Sequence, residues 1–115
     1  MTIDFITVNL EEGRPTAAVA LKRLFGEIHR AKAQRVKVIK LIHGYGSSGV
    51  GGVLRIAVRT ELERLKKKGL VKIYVPGESF EIFSIDTIKM LDACEILRSD
   101  RDLGRFNSGI TMVLL

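Results

Sequence analysis

The fold of this chain is decided by one stretch, Val38-Ile-Lys-Leu-Ile-His43-Gly44-Tyr-Gly46-Ser-Ser-Gly49-Val-Gly-Gly-Val-Leu54-Arg55-Ile-Ala-Val58. Residues 36–42 are β-prone and too few to favour a helix, so they predict a strand. Five glycines follow within residues 43–52 and predict a loop, because glycine loses much backbone entropy in a regular element. Apolar residues then recur at helical spacing from Val53 to Leu65, ahead of three lysines and Gly69, which is typical of a helix and its end.

The flanking sequence repeats this alternation. Residues 3–10 predict a first strand, Thr16 precedes an amphipathic helix that runs to Ala31, and residues 71–75 predict a third strand. Two consecutive crossover connections should be right-handed and should leave these three strands parallel.

The C-terminal part of the chain is harder to assign. Phe80 to Phe83 suggest a short strand, and Asp86 is a candidate cap for a helix that runs to Arg98, with Cys94 among its core residues. Residues 110–115 are apolar enough for a strand in the centre of the sheet. The class is therefore α/β or α+β with a mixed sheet.

Composition excludes several classes of protein. The chain has 115 residues, 46% of them hydrophobic, which suits one domain with one core. Cys94 is the only cysteine, so an internal disulfide and a Cys/His zinc cluster are both excluded. An apolar run of about 20 residues and a signal peptide are also missing, so we expect a cytoplasmic protein without a membrane partner.

Charge is concentrated in the middle of the sequence. Residues 14–72 hold fifteen basic and three acidic side chains, whereas residues 1–13 and 73–115 each carry a net charge of −3. Such clustering is typical of a surface that binds a phosphate backbone. A merely solubilising surface is the alternative.

A glycine-rich turn between a strand and a helix can bind anions, because unpaired amides and the helix dipole favour negative charge there. The alternative is that the glycines only allow the helix to pack close to the sheet. The candidate nucleic-acid-binding residues are Lys40, His43, Gly44, Tyr45, Gly46, Ser47, Ser48, Gly49, Gly51, Gly52, Arg55 and Arg59. Tyr45 could stack on a splayed base or pack against the sheet.

The same glycines fit the letters of a dinucleotide-binding fingerprint, Gly44-Tyr45-Gly46-Ser47-Ser48-Gly49. The chain is too short for both halves of a dinucleotide-binding fold, and the acidic residue expected about 20 positions later is missing. We therefore disfavour nucleotide binding.

Together with Gly109-Ile-Thr111-Met-Val-Leu, the opening stretch resembles the Smr (small MutS-related) domain family. Family members pair a strand ending in His-Gly-x-Gly with a helix opening in Leu-Arg/Lys-x-x-Val, and they finish in Gly-x-Thr-x-Val-x-Leu. The resemblance implies a two-layer α/β (α+β) sandwich with a mixed four-stranded sheet in β-α-β-α-β order, followed by an inserted helix and a C-terminal strand. It implies one domain over residues 1–115, with an insertion at about 77–102, that binds RNA or DNA. Many members are also endonucleases.

One departure from the family concerns catalysis. Nuclease members carry Asp-x-His at the end of the first strand, where this chain has Asn9 and Glu11. A metal-dependent endonuclease would need Glu11 or Glu12 as a substitute ligand for Mg²⁺ or Mn²⁺, with His43 as an acid/base group. His43 could equally brace the loop through a backbone carbonyl. No metal or other cofactor is otherwise expected, and whether the chain is an enzyme stays open. A third reading is an adaptor that binds a protein partner through acidic residues 77–102.

Overall fold

The computed structural model describes residues 3–45 and 50–115, with only the backbone described at positions 50 and 51. The described strands and helices are β1 (Phe5–Asn9), α1 (Ala17–Ala33), β2 (Val38–Ile42), α2 (Val50–Lys67), β3 (Ile73–Pro76), α3 (Ile85–Ala93) and β4 (Ile110–Leu114). Two short 3₁₀ turns, Gly77–Ser79 and Glu95–Ser99, flank α3. No helix of the described part of the chain is long and apolar enough to cross a membrane.

The four strands form one mixed sheet in the order β1-β2-β4-β3. β1 and β2 are parallel, and β4 runs antiparallel to both of its neighbours, so the first three strands share one direction as predicted. All five residues of β4 are buried, which confirms that this apolar strand lies inside the sheet. The mixed α/β class is thus confirmed.

Helices α1 and α2 cover one face of the sheet. Alternate strand residues such as Ile39 and Val113 point to this face, where they meet Leu24 of α1 and Val58 of α2. Each of these side chains is at most 2% exposed, and burying one contributes about 1.5–3 kcal/mol. The helical spacing of the apolar residues in α1 and α2 thus fixes which faces of both helices meet the sheet.

The opposite face is covered by the segment between β3 and β4, residues 77–109. Met112 of β4 packs there against Phe80, Met90 and Leu97, all of them buried. The sheet is therefore partly covered on both faces, which adds a partial third layer to the two layers expected. The buried residues on this face form a second core, and Cys94 belongs to it, which confirms its predicted place in the core.

Two predictions for this segment were wrong in detail. Phe80 to Phe83 form no strand, because Phe80 turns into the core after a 3₁₀ turn. Helix α3 begins at Ile85, since the Ser84 hydroxyl, and not Asp86, accepts the capping hydrogen bond from the amide of Thr87. It ends at Ala93, and the chain continues as a 3₁₀ turn.

The two ends of segment 77–109 touch each other. A Cβ atom at Gly77 would clash with the carbonyl oxygen of Asn107 and with the side chain of Ile110. Only glycine therefore allows the chain to leave β3 beside the point where it returns to β4.

Candidate nucleic-acid interface

The candidate interface lies where β2 ends and β4 begins. The amides of His43 and Gly44 both donate to the carbonyl oxygen of Gly109, each at 3.0 Å. Gly44 has a φ of +78°, a conformation that side-chain-bearing residues rarely adopt. The start of the glycine loop is therefore fixed to the adjacent strand, and Gly44 is needed for its turn.

His43 is fully buried beneath this turn, and both of its ring nitrogens have partners. Nε2 lies 2.8 Å from the hydroxyl of Thr111, and Nδ1 lies 2.9 Å from the carbonyl oxygen of Gly44. Because that carbonyl can only accept, Nδ1 carries the proton and donates to it. Nε2 therefore accepts from the Thr111 hydroxyl.

Burial lowers the pKa of His43 to about 4, and the charges of Arg59 and Arg55 add to this effect, although the bond to Gly44 opposes it. His43 is consequently neutral at pH 7. These contacts favour a bracing role for His43 over direct contact with phosphate.

Arg59 connects this histidine to the segment after β3. Its Nε donates to the Thr111 hydroxyl at 3.0 Å, and its two terminal nitrogens form a bidentate pair with Glu78 at 2.8 and 2.7 Å. Partial burial raises the pKa of Glu78, but the hydrogen bonds from Arg59 outweigh it and hold that pKa below its usual value. The Arg59 side chain is only 18% exposed, so it stabilises the site and is poorly available to a ligand.

Arg55 lies one turn before Arg59 on α2 and, like Arg59, is partly buried. Its charge acts on both His43 and Glu78, which places it beside the network. Within residues 3–45 and 50–115 it makes no hydrogen bond or ion pair. Arg55 is therefore the arginine of this site that is not already paired within the described residues.

Lys40, a predicted phosphate ligand, has a different role. Its side chain points to the face opposite α1 and α2, where Nζ lies 2.7 Å from Asp100 Oδ1 and 2.6 Å from Asp102 Oδ2. All three side chains are about nine-tenths buried. Two carboxylates already neutralise this ammonium group, so we reassign Lys40 from phosphate binding to holding segment 77–109 against the sheet.

Of the predicted loop donors, Gly46, Ser47, Ser48 and Gly49 lie outside the described residues. Gly51 and Gly52, predicted to be in the loop, belong to α2, which begins at Val50. The helix therefore starts three residues earlier than the apolar spacing predicted. Amides in the first turn of a helix have no partner within the helix, so α2 directs amide donors to this end of the sheet.

Of the two acidic residues that follow β1, Glu11 lies against the Gly44 turn and Glu12 does not line it. Glu11 packs its carboxylate over Gly44, where an added Cβ would lie 2.5 Å from Oε2. Asn9 accepts a hydrogen bond from the Glu11 amide and so shapes the turn. Glu12 is exposed, and its carbonyl oxygen accepts from Arg23.

The geometry gives the nuclease reading little support. Within the described residues, no group of three or more His, Cys, Asp or Glu side chains could hold a metal ion. Both ring nitrogens of His43 are engaged, and Asn9 replaces the acidic residue of the nuclease motif. Among the described residues, Glu11 and Glu12 therefore form no such group with His43.

Two members of the network were not among the predicted site residues. Thr111 belongs to the Gly-x-Thr pattern quoted for the last strand. That pattern indicates that the threonine matters, but it does not show which side chains the threonine contacts. Glu78 follows a Pro-Gly turn and has no local signal, because its partner Arg59 is 19 residues away.

The chain is similar to known proteins in both sequence and fold. The sequence model of the Smr domain matches residues 13–78, and this match ends where the predicted insertion begins. The structure is similar to the crystal structure of the Smr domain of Thermus thermophilus MutS2, with a TM-score of 0.58 and 24% sequence identity over 95% of each chain. No curated protein sequence matches the chain.

Proposed function

Because the chain belongs to the Smr domain family, we propose that it binds the phosphate backbone of RNA or DNA at the end of the sheet where α2 begins. The family is one of nucleic-acid binding and nuclease proteins. The observation that carries the proposal is Arg55, which lies in the second turn of α2, makes no hydrogen bond or ion pair within the described residues, and has a charge that acts on His43 just before the fixed Gly44 turn.

The site divides into contacting and supporting residues. Backbone amides of the first turn of α2 and the Arg55 guanidinium supply the positive end of a helix dipole and a full charge to a phosphate. Arg59, His43 and Thr111 hold that end of the sheet in place. Gly46, Ser47, Ser48 and Gly49 remain candidate donors in this proposal.

Electrostatic attraction extends beyond this site. Exposed cations on α1 and near the end of α2 include Lys22, Arg23, Lys66, Lys67 and Lys68. Such charges attract a polyanion without reading its sequence, and their effect falls as salt rises. We therefore expect affinity that depends strongly on salt and weakly on the identity of paired bases.

Fluorescence anisotropy with labelled RNA and DNA hairpins, at salt from about 50 to 200 mM, tests the proposal. Arg55→Ala should weaken binding about tenfold at low salt and reduce the slope of log K against log salt by about one. Arg64→Ala is the matched control, because Arg64 lies on the same helix, is exposed and is paired with Glu61. Absence of binding at low salt, or equal effects of the two substitutions, would refute the proposal.

A further inference from the structure

An open pocket of about 310 Å³ lies beside the proposed phosphate site. Ile42 and Ile110 supply apolar lining from the sheet, Glu11 lines it from the turn after β1, and Arg101 lines it from segment 77–109. Ile42 and Ile110 belong to the sheet face opposite α1 and α2. The volume of the pocket is at the lower end of the range for small-ligand sites.

The walls of this pocket are held in place by polar contacts. The ion pairs of Lys40 with Asp100 and Asp102 fix segment 77–109 to the sheet. The Asn107 side chain donates to Asp102 at 3.1 Å and accepts from the amide of Gly109 at 2.9 Å. A pocket with walls fixed in this way needs little reorganisation to receive a ligand.

An aromatic ring lies at the edge of the pocket. Tyr45 is 60% exposed, and its ring packs over Gly109, where an added Cβ would lie 2.8 Å from Tyr45 Cδ1. The ring thus has a fixed support and a large free surface. Exposed aromatic rings of this kind stack on the bases of single-stranded nucleic acid.

Glu11 places a carboxylate on the wall of the pocket. Its carboxylate lines the pocket and packs over Gly44. Within the described part of the chain this carboxylate accepts no hydrogen bond. Two adjacent acceptor oxygens match two adjacent donors, and guanine alone among the standard bases presents such a pair, N1–H and the N2 amine, on its Watson–Crick edge.

The geometry points to this pocket as a site for one unstacked guanine base of single-stranded RNA or DNA, stacked on Tyr45 and read by Glu11. Arg101 is exposed at the edge of the pocket and is placed to contact the adjoining phosphate. The inference rests on the proposed function and adds a base preference to it. It also gives segment 77–109 a role, because Arg101, Asp102 and Asn107 all line the pocket.

The test uses labelled nine-residue RNA and DNA oligomers of uridine or thymidine with a single central guanine, adenine, cytosine or inosine. We expect the guanine oligomer to bind about tenfold more tightly than the adenine and cytosine oligomers. Inosine, which lacks the N2 amine, should lose most of this preference, whereas 7-deazaguanine, whose Watson–Crick edge is intact, should keep it.

Substitutions identify the residues responsible. Glu11→Gln should remove the preference for guanine, so that the guanine oligomer binds no more tightly than the adenine and cytosine oligomers. Glu12→Gln, an exposed neighbour that does not line the pocket, should have no effect. Tyr45→Ala should weaken binding of all oligomers about tenfold, and Tyr45→Phe should not.

The outcomes separate this inference from the proposed function. Equal binding of all four central bases, or a guanine preference that survives Glu11→Gln, overturns the pocket and leaves phosphate binding standing. If the hairpins and the oligomers all fail to bind at low salt, both are overturned.

Discussion

The Nε of Arg59 donates a 3.0 Å hydrogen bond to the Oγ1 of Thr111. The same hydroxyl lies 2.8 Å from His43 Nε2, so one threonine joins α2, β4 and the residue that follows β2. A hydroxyl can accept one hydrogen bond while donating another, and valine, the isosteric residue, can do neither.

Thr111→Val should therefore lower the free energy of unfolding by about 1–3 kcal/mol, because it leaves the buried Nε2 of His43 and the partly buried Nε of Arg59 without this partner. Urea unfolding followed by circular dichroism measures the change. Thr111→Ser keeps the hydroxyl and should lose clearly less. Equal losses for the two variants would mean that packing of the methyl group, and not the hydrogen bonds, stabilises this position.

The free energy of unfolding should decrease as the pH decreases from about 6.5 to about 4. In this range His43 is protonated in the unfolded chain but neutral in the folded protein. The pKa of this histidine is lowered from about 6.5 to about 4 in the folded protein, so the unfolded state binds more protons between these values. The stabilisation by neutral His43 is complete above pH 6.5 and is lost as pH falls to 4, at a cost of about 3 kcal/mol.

Unfolding free energies measured at pH 7.0, 6.0 and 5.0 test this expectation. His43→Gln should flatten the profile in this range, although it lowers stability at pH 7. The lowered pKa of Glu78 makes a separate contribution, which is present above pH 4.5 and is lost at lower pH. A wild-type profile that is already flat from pH 7 to 5 would contradict the assignment of a neutral, buried His43.

Lys40→Met should destabilise the fold by about 3–5 kcal/mol, because it leaves Asp100 and Asp102 buried together without a cation. The triple variant Lys40→Met, Asp100→Asn, Asp102→Asn removes the uncompensated charges and should recover part of this loss. Lys37→Met is the control, since Lys37 is exposed and lies 3.9 Å from Asp4, a contact worth about 0–1 kcal/mol. Urea unfolding measures all three, and equal effects of Lys40→Met and Lys37→Met would count against the ion-pair cluster.

The Cys94 thiol should react slowly with Ellman's reagent in the folded protein. The side chain is 2% exposed, and burial together with the nearby Asp4 charge raises its pKa. We expect the rate to be at least about a hundredfold below that in urea, because reaction requires local opening of the second core. The absorbance change reports on Cys94 alone, because it is the only cysteine of the sequence. Fast labelling under native conditions would show that α3 opens readily.

Structured RNA and supercoiled DNA should remain intact when incubated with the protein and Mg²⁺ or Mn²⁺. The physical reason is that His43 has both nitrogens engaged and Asn9 cannot act as a carboxylate ligand. Gel electrophoresis is sufficient for this measurement. Cleavage that disappears in Glu11→Ala or Glu12→Ala would restore the endonuclease interpretation, and cleavage that survives in both would indicate a contaminating nuclease.

Local sequence was sufficient to predict most of the fold. Strand and helix periodicity identified β1, α1, β2, α2, β3 and β4, because the pattern of buried residues repeats within each element. It failed for Phe80 to Phe83, where β-prone residues pack into a second core made by distant parts of the chain. The three-residue error at the start of α2 arose because glycines in a first helical turn look like loop.

The contacts of the candidate site residues were not predictable from the sequence. Chain order alone places Lys40, His43 and Arg59 near the glycine loop. Their partners Asp100, Thr111 and Glu78 are 60, 68 and 19 residues away, so no local pattern could show that these side chains are already paired. Arg55 and Arg59 were both predicted as ligands of phosphate. Only the contacts of the folded chain show that Arg59 is paired with Glu78, whereas Arg55 has no partner among the described residues.

The close approach of Gly77 to Asn107 gives the domain a modular architecture. β3 and β4 are antiparallel neighbours, and a tight hairpin of a few residues is enough to join such strands. Pairing of β3 with β4 therefore does not itself require the whole excursion, whereas the excursion supplies the core on one face of the sheet and the carboxylate partners of Lys40. A shortened excursion should therefore alter the covered face and its pocket before it alters the pairing of β3 with β4.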